Sequence, residues 1–172
     1  GLLLALPAAA QDSRDTAFLT ARDAFRAGDR NKLERASSQI GNHELAVYAE
    51  NYRLRMNFDQ GDSAAIRSFL ERNERSYVAE KLRADWIRWL GKRSTWNEID
   101  LEFPKLASPE PDTTCYAQQA RLSRNDRSVL DEAEKLAFAA VADLPVAAQE
   151  LLARVALARG DLAKAEAAAR AA

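Results

Sequence analysis

Apolar residues recur along the chain at three- and four-residue intervals, the spacing that places side chains on one face of an α-helix. Three such stripes are Leu45, Tyr48, Tyr52 and Met56; Val78, Leu82, Trp86 and Trp89; and Val129, Ala133, Leu136 and Ala140. Segments that alternate apolar and polar residues and are rich in β-branched residues are absent. The pattern predicts an all-α fold with helices at 13–27, 30–39, 43–58, 62–73, 76–90, 95–103, 113–124, 127–142, 146–159 and 161–172.

Turn signals separate these helices at intervals of 30 to 35 residues. They are Gly28-Asp29, Gly61-Asp62, Gly91-Lys92, Asn125-Asp126 and Gly160-Asp161. Gly or Asn can adopt the left-handed conformation that ends a helix, and the Asp can cap the next helix. After Gly91 the capping residues are instead Ser94-Thr95 with Glu98, a capping-box pattern. The repeat predicts an α-solenoid of stacked helix pairs, a tetratricopeptide-like superhelix.

Composition excludes several classes of protein. Alanine contributes 35 of the 172 residues, while Gly and Pro contribute only 6 and 5, which favours helices. Lys and Arg number 25 against 26 Asp and Glu, so the chain lacks the basic excess expected of a nucleic-acid-binding protein. No apolar run is long enough for a membrane span. A single Cys and a single His argue against a Cys/His zinc cluster or a Cys–His dyad.

The first ten residues resemble the end of a secretory signal peptide. An apolar stretch and Pro7 precede the small residues Ala8 and Ala10, and polar Gln11 follows. We therefore expect 1–10 to be a truncated signal-peptide remnant, 11–172 to be one α-superhelical domain, and the protein to be periplasmic. A frayed apolar end of a cytosolic helical protein is the alternative. The main break within the domain is predicted at 104–112, which contains three prolines.

Candidate chemistry is sparse, and each candidate has a structural alternative. His43-Glu44 begins like a zinc-protease helix, but Val47 stands where the second His would be. The carboxylate pairs Glu132/Glu134 and Glu98/Glu102 suit acid–base chemistry but are better explained as solvated helix faces. We therefore assign no catalytic, cofactor-binding or metal-binding residue and expect no cofactor.

Aromatic and basic residues are the remaining candidates. Trp86, Trp89 and Trp96, with Tyr77 and Phe103 nearby, suit stacking on sugars, although their helical spacing favours core packing. Residues 53–93 carry a net charge of +4 and 94–112 a net charge of −4. A basic wall for an anionic polymer is one interpretation of this asymmetry, and a solvated helix surface is the favoured one.

Four blocks, in order, resemble the N-terminal superhelical region of soluble lytic murein transglycosylases of Gram-negative bacteria. They are His43–Arg53 with a Y-x-x-x-Y-R pattern, Phe69–Asn73, Leu82–Trp96, and Cys115–Ala120. The match covers most of 13–124 and fades into generic solenoid sequence afterwards. In such relatives a second Cys, at about the place of Ala148, pairs with the first. Here Ala148 leaves Cys115 without that partner.

The resemblance implies a role in cell-wall turnover. Members of this family are lyases that cleave the bond between N-acetylmuramic acid and N-acetylglucosamine in peptidoglycan and leave a 1,6-anhydro end. Their catalytic Glu, followed by Ser, lies in a C-terminal lysozyme-like domain, and no Glu-Ser pair occurs in these 172 residues. We therefore expect an inactive scaffold fragment, whose parent enzyme contacts peptidoglycan glycan strands through the domain that is missing here.

A second hypothesis is a tetratricopeptide-like periplasmic adaptor that binds protein partners in its groove, because one solenoid fold serves many functions. A catalytic site confined to these residues is a third and much weaker alternative.

Overall fold

The computed structural model describes residues 8–143 and 145–172, and these residues form helices and connecting turns without a strand. The helices are α1 Ala8–Ala27, α2 Arg30–Ile40, α3 Ala46–Met56, α4 Ser63–Arg72, α5 Tyr77–Gly91, α6 Trp96–Glu102, α7 Pro111–Ser123, α8 Leu130–Ala140, α9 Pro145–Arg159 and α10 Leu162–Ala171. Short 3₁₀ helices occupy Phe58–Gln60, Phe103–Lys105 and Arg127–Val129. The prediction of an all-α fold is confirmed, and each of the ten predicted helices is present. No helix in the described ranges combines the length and the apolar character needed to cross a membrane.

Differences from the prediction lie at the helix ends. Helix α1 starts at Ala8, earlier than expected. Ala8–Ala10 of the proposed signal remnant are therefore helical, while its first seven residues lie outside the described part of the chain. The predicted break at 104–112 is shorter, because α7 already begins at Pro111, a residue whose fixed backbone angle suits the first helical position.

Four turns between helices use one hydrogen-bonding scheme. At the first, the N–H of Gly28 donates to the carbonyl of Phe25 (3.1 Å) and the N–H of Asp29 to that of Ala24 (2.9 Å), the Schellman arrangement. Equivalent pairs of bonds are made at Ser94-Thr95, Asn125-Asp126 and Gly160-Asp161. In all four turns the first residue has a positive φ. Three of the five predicted turn signals, those at Gly28, Asn125 and Gly160, therefore share one structure.

Aspartate caps follow four of the predicted turns. Asp29 accepts a hydrogen bond from the N–H of Lys32 and Asp62 one from Ala65, both at 2.9 Å. Asp161 accepts one from Lys164 at 3.1 Å, and Asp126 caps the 3₁₀ helix before α8 through Ser128 at 3.1 Å. The predictions of capping at these four sites are confirmed.

The prediction for the turn at Gly91 is wrong. Gly91 is the last residue of α5, and Ser94 adopts the positive φ, 56°, that ends the helix. Thr95 is at the N-cap of α6 but makes no side-chain capping bond. A Cβ at Gly91 would overlap the ring of Tyr116, so this glycine allows α5 and α7 to approach closely.

The chain divides into two compact units. We call the unit that ends at Leu82 the N-terminal unit and Arg83–Ala172 the C-terminal unit. In the N-terminal unit, α3 contacts both α1 and α2. Its core is rich in alanine: it contains Ala17, Ala21, Ala24, Leu33, Ala36, Ile40 and Ala49. Small side chains such as these let helices pack at short distances.

Within the C-terminal unit, α6 contacts α7, α9 contacts both α7 and α8, and α10 packs on α9. Its buried residues include Trp86, Ile87, Ile99, Cys115, Tyr116, Ala133, Ala137, Ala148, Leu151 and Val155. The stripes predicted from Val78 and Val129 are mostly buried, as expected. The stripe from Leu45 is only partly right: Tyr48 is 40% exposed, and the buried residues of α3 are Ala49 and Asn51.

Candidate functional site

His43 lies just before α3 rather than within it. Its Nδ1 accepts a hydrogen bond from the N–H of Leu45 (3.3 Å), and its Nε2 lies 3.7 Å from the carboxylate of Asp15. Within the described residues there is no group of three or more His, Cys, Asp or Glu side chains that could hold a metal ion. The arrangement is a local turn contact at the start of α3.

The two carboxylate pairs have different environments. Glu132 is exposed, and Glu134 accepts a hydrogen bond from Nη1 of Arg159 at 2.5 Å. Glu102 contradicts the expectation of a solvated helix face, because it is fully buried. It pairs with buried Arg83 and accepts a hydrogen bond from Lys105 at 3.1 Å. Glu102 therefore forms a buried ion pair with Arg83 of α5.

The three tryptophans lie in different environments. Trp86 is buried, which confirms the core-packing interpretation for that residue. Trp89 and Trp96 are half-buried, and each is covered by a guanidinium: Arg93 lies 4.0 Å from the Trp89 ring and Arg154 4.8 Å from the Trp96 ring. Phe103 is half-buried, whereas Tyr77 is 80% exposed. The contacts of Arg93 and Arg154 with the two tryptophan rings are cation–π interactions, and they restrain the positions of these side chains.

Carboxylates from other segments balance the basic stretch. Arg53 pairs with Glu34 (2.8 Å) and Arg72 with Glu50 (2.6 Å) in the N-terminal unit. In the C-terminal unit Arg83 pairs with Glu102, and Arg88 contacts Glu110 and Asp112. The positive 53–93 segment and the negative 94–112 segment therefore partly neutralise each other, which removes much of the support for a basic wall.

Arg88 is the centre of a cluster of charged side chains. Its guanidinium contacts Asp112, Glu110 and, at 3.0 Å, Asp85. Burial is the largest single influence and lowers the pKa of Arg88, but the bond to Asp112 and the three carboxylate charges together outweigh it and raise the pKa above its ordinary value. The cluster holds the N-terminus of α7 against α5.

Next to this cluster, Cys115 and Tyr116 are both buried in α7. Burial, with a smaller contribution from Asp112, raises the pKa of the Cys115 thiol to about 11. Burial, followed by the charges of Glu150 and Asp112, raises the pKa of Tyr116 to about 12. Both groups are held in their neutral forms at physiological pH. Cys115 is accordingly a packing residue rather than a reactive thiolate.

A polar groove lies in the N-terminal unit. It has a volume of about 570 Å³ and lies along α3 between α2 and the start of α4. Its lining is Arg30, Glu50, Arg53, Leu54, Asn57, Gln60, Asp62, Ala65 and Ile66. Arg30 is held by Asp59 (2.9 Å) and Arg53 by Glu34 (2.8 Å), so both guanidiniums are oriented.

An apolar groove in the C-terminal unit lies along α9 between α8 and α10. It has a volume of about 300 Å³ and is lined by Glu134, Phe138, Gln149, Leu152, Ala156, Lys164, Ala167 and Ala168. Phe138 is 62% exposed at its edge.

Sequence reasoning did not predict either groove. The only available signal was the row Glu50, Arg53, Leu54 and Asn57, which helical spacing places on one face of α3.

Comparison with known proteins gives no relative: no family model, no curated protein and no solved structure matches this chain.

Proposed function

We propose that this chain is the superhelical scaffold of a periplasmic peptidoglycan lytic transglycosylase. In this proposal its helix pairs stack into an α-solenoid, and the parent enzyme cleaves the N-acetylmuramic acid–N-acetylglucosamine bond with formation of 1,6-anhydro ends. Catalysis is assigned to another part of the parent protein, because the Glu-Ser pair of the family has no match in these residues.

The observation that carries the proposal is the position of the residues that resemble the family. In the N-terminal unit, Tyr52 stacks on Phe25 with ring centroids 4.8 Å apart and so joins α3 to α1. Asn51, which is buried, donates a hydrogen bond to the carbonyl of Val78 (3.4 Å) and joins α3 to α5. Both residues lie in the first block, and both connect helices of successive pairs.

The later blocks behave in the same way. In the C-terminal unit, the ring of Tyr116 lies against Gly91 and joins α7 to α5. Gln119 donates to the carbonyl of Ala147 (3.3 Å) and joins α7 to α9. Residues of the resemblance therefore connect the first helices of neighbouring pairs, which is the packing that a stacked solenoid needs.

The contribution of this chain to the reaction would be mechanical. A solenoid buries one continuous core through contacts between neighbouring pairs, so it can hold a separate catalytic domain at a fixed distance and orientation. The buried Arg83–Glu102 pair and the Arg88 cluster supply directional contacts in the C-terminal unit. Such contacts favour one arrangement of helices over slightly shifted alternatives.

The test uses the native protein. Antibodies against this chain would be used to probe periplasmic and cytosolic fractions of the source organism. We expect a periplasmic polypeptide larger than this one by roughly 150 residues or more, the size of one further domain. The immunoprecipitate, incubated with purified murein, should release muropeptides with 1,6-anhydro ends, detected by mass spectrometry.

Two controls define the result. A precipitate from a strain that lacks the gene should release none of these products, and neither should the 172-residue chain by itself. A native species near 19.1 kDa, a purely cytosolic location, or a larger species without lytic activity would each contradict the proposal.

The tetratricopeptide-like periplasmic adaptor remains the second candidate. The two grooves favour it, because each offers a surface between consecutive helices on which a partner can lie. A small periplasmic species that precipitates with a defined protein and has no lytic activity would support the adaptor instead.

A substitution in this chain tests the resemblance directly. Cys115 and Ala148 are both fully buried, in helices α7 and α9, and Gln119 joins these helices one turn from Cys115. We expect Ala148→Cys to form a disulfide with Cys115 under oxidising conditions, detected as the loss of both free thiols in the denatured protein. Ala165→Cys in α10, also buried, is the matched control and should retain two thiols. If the Ala148→Cys variant retains two free thiols, the correspondence of position 148 to the family's second Cys is contradicted.

A further inference from the structure

The polar and apolar grooves occupy equivalent positions in two helix pairs. Glu50 and Arg53 of α3 and its C-cap residue Asn57 are separated from Gln149, Leu152 and Ala156 of α9 by the same number of residues. The same separation relates the turns Gly61-Asp62 and Gly160-Asp161. Both aspartates cap the following helix through the third residue after them. The two grooves therefore share a register along their helix pairs, but they differ in volume, about 570 Å³ against about 300 Å³, and in chemistry.

The two grooves differ in chemistry at equivalent positions. Where α9 has the apolar residues Leu152 and Ala156, the polar groove has Arg53 of α3 and Asn57 at the C-cap of α3. Arg53 and Asn57 are therefore the polar lining positions of this groove that have an apolar counterpart in α9, and they distinguish the chemistry of the polar groove from that of the apolar one.

The polar groove offers hydrogen-bond donors that are already oriented. Arg53 uses Nε and Nη2 to hold Glu34, which leaves Nη1 for a further partner. Arg30 uses only Nη2 to hold Asp59, which leaves Nη1 and Nε. Because the carboxylates fix both side chains, binding costs little additional side-chain entropy.

Acceptors face the same groove. Glu50 uses Oε1 for Arg72, and Asp62 uses Oδ1 for the N–H of Ala65, so each carboxylate retains a second oxygen. The amide side chains of Asn57 and Gln60 carry both donors and acceptors. Leu54 and Ile66 supply an apolar floor. Two arginines and two carboxylates give the lining no net charge, which disfavours a polyanion.

We propose that the polar groove binds a short extended peptide that carries one acidic and one basic side chain. The paired charges match such side chains, the amides match the peptide backbone, and the volume of about 570 Å³ is in the range of ligand sites. A saccharide fits less well, because no aromatic ring is among the described residues that line the groove. The proposal does not depend on the lytic activity of a parent enzyme.

The experiment titrates the 172-residue chain with capped peptides in which one lysine and one glutamate are separated by one to four alanines. Binding is followed by two-dimensional amide NMR and by calorimetry. We expect at least one peptide to bind with a dissociation constant below about 1 mM and to shift amide signals along α3 and the start of α4. Raising the salt concentration should weaken this binding, because it depends on exposed charges.

The decisive variant is Arg53→Leu/Asn57→Ala, which converts the groove of α3 to the residues found in α9. We expect it to remain folded by circular dichroism and to bind the peptide at least about tenfold more weakly. Lys164→Ala in the apolar groove is the matched control, since Ala65 is the equivalent residue, and it should bind as the unmodified chain does. The proposal is overturned if no peptide of the set binds, if the double variant binds equally well, or if an N-acetylglucosamine trimer binds more tightly than the peptides.

Discussion

Gly91 is the residue whose role in the structure differs most from the role predicted from the sequence. It has the appearance of a helix-ending glycine, yet it is helical, and the ring of Tyr116 occupies the space where a side chain would be. We expect Gly91→Ala to lower the free energy of unfolding by about 1–3 kcal/mol, the usual cost of overpacking. Urea denaturation followed by circular dichroism measures this change.

A double-mutant cycle supplies the control for Gly91. In a Tyr116→Leu background the alanine at position 91 meets a smaller, more flexible side chain, so the same substitution should cost less. An equal cost in both backgrounds would show that the Tyr116 ring is not the reason for the glycine.

The burial of Glu102 could not be predicted from the residues next to it in the sequence. It is fully buried, and its main partner, Arg83, is also buried. We expect Glu102→Leu to lower the free energy of unfolding by about 3–5 kcal/mol, because it leaves an uncompensated charge inside the protein. Arg83→Met/Glu102→Leu should recover most of this loss, as measured by urea denaturation.

Lys105 provides the matched comparison, because it contacts the same carboxylate from a half-exposed position. Its replacement by alanine should change stability by less than about 1 kcal/mol, as exposed ion pairs usually do. A double variant as unstable as Glu102→Leu alone would contradict the charge argument.

At the scale of elements, the turn at Ser94 departs from its counterparts. Gly28 and Gly160 take the positive φ at equivalent turns, with values of 72° and 82°, whereas Ser94 takes 56° with a side chain. Non-glycine residues other than Asn and Asp are strained in this region. We expect Ser94→Gly to raise the free energy of unfolding by about 0.5–1 kcal/mol, measured by urea denaturation.

Asn125→Gly is the control for this turn, since Asn125 has a φ of 61° in the same hydrogen-bonding arrangement. Asparagine tolerates the left-handed region, so this substitution should stabilise the protein less than Ser94→Gly does. The reverse order would show that relief of backbone strain is not the main effect.

The helices and turns also show how much of the structure could be predicted from the sequence. Helices and four of the turns follow from interactions within about five residues, such as the hydrogen bond that the N–H of Lys32 donates to Asp29. The role of Gly91 depends on Tyr116, and the burial of Glu102 depends on Arg83. Neither contact has a local signal. The polar groove likewise needs α2 and α4 on either side of α3, so only the face of α3 could be predicted.

At the scale of the whole molecule, the buried side chains of Cys115 and Tyr116 make the free energy of unfolding depend on pH in the alkaline range. Burial raises the pKa of Cys115 from 9.0 to about 11 and that of Tyr116 from 10.0 to about 12. The folded state therefore holds these protons more tightly than the unfolded state does. Their contribution to stability is complete below pH 9 and is lost as the pH rises toward 12.

We expect the free energy of unfolding to fall between pH 9 and 11 by an amount that includes about 2–3 kcal/mol from the thiol alone, at about 1.4 kcal/mol for each unit of pKa difference. Urea denaturation at closely spaced pH values measures the slope. Cys115→Ala has no thiol to titrate, so its slope between pH 9 and 11 should be smaller even if the variant is less stable at neutral pH. Tyr116→Phe should reduce the slope mainly above pH 10. Slopes identical to that of the unmodified chain in both variants would mean that these two groups do not couple folding to alkaline pH.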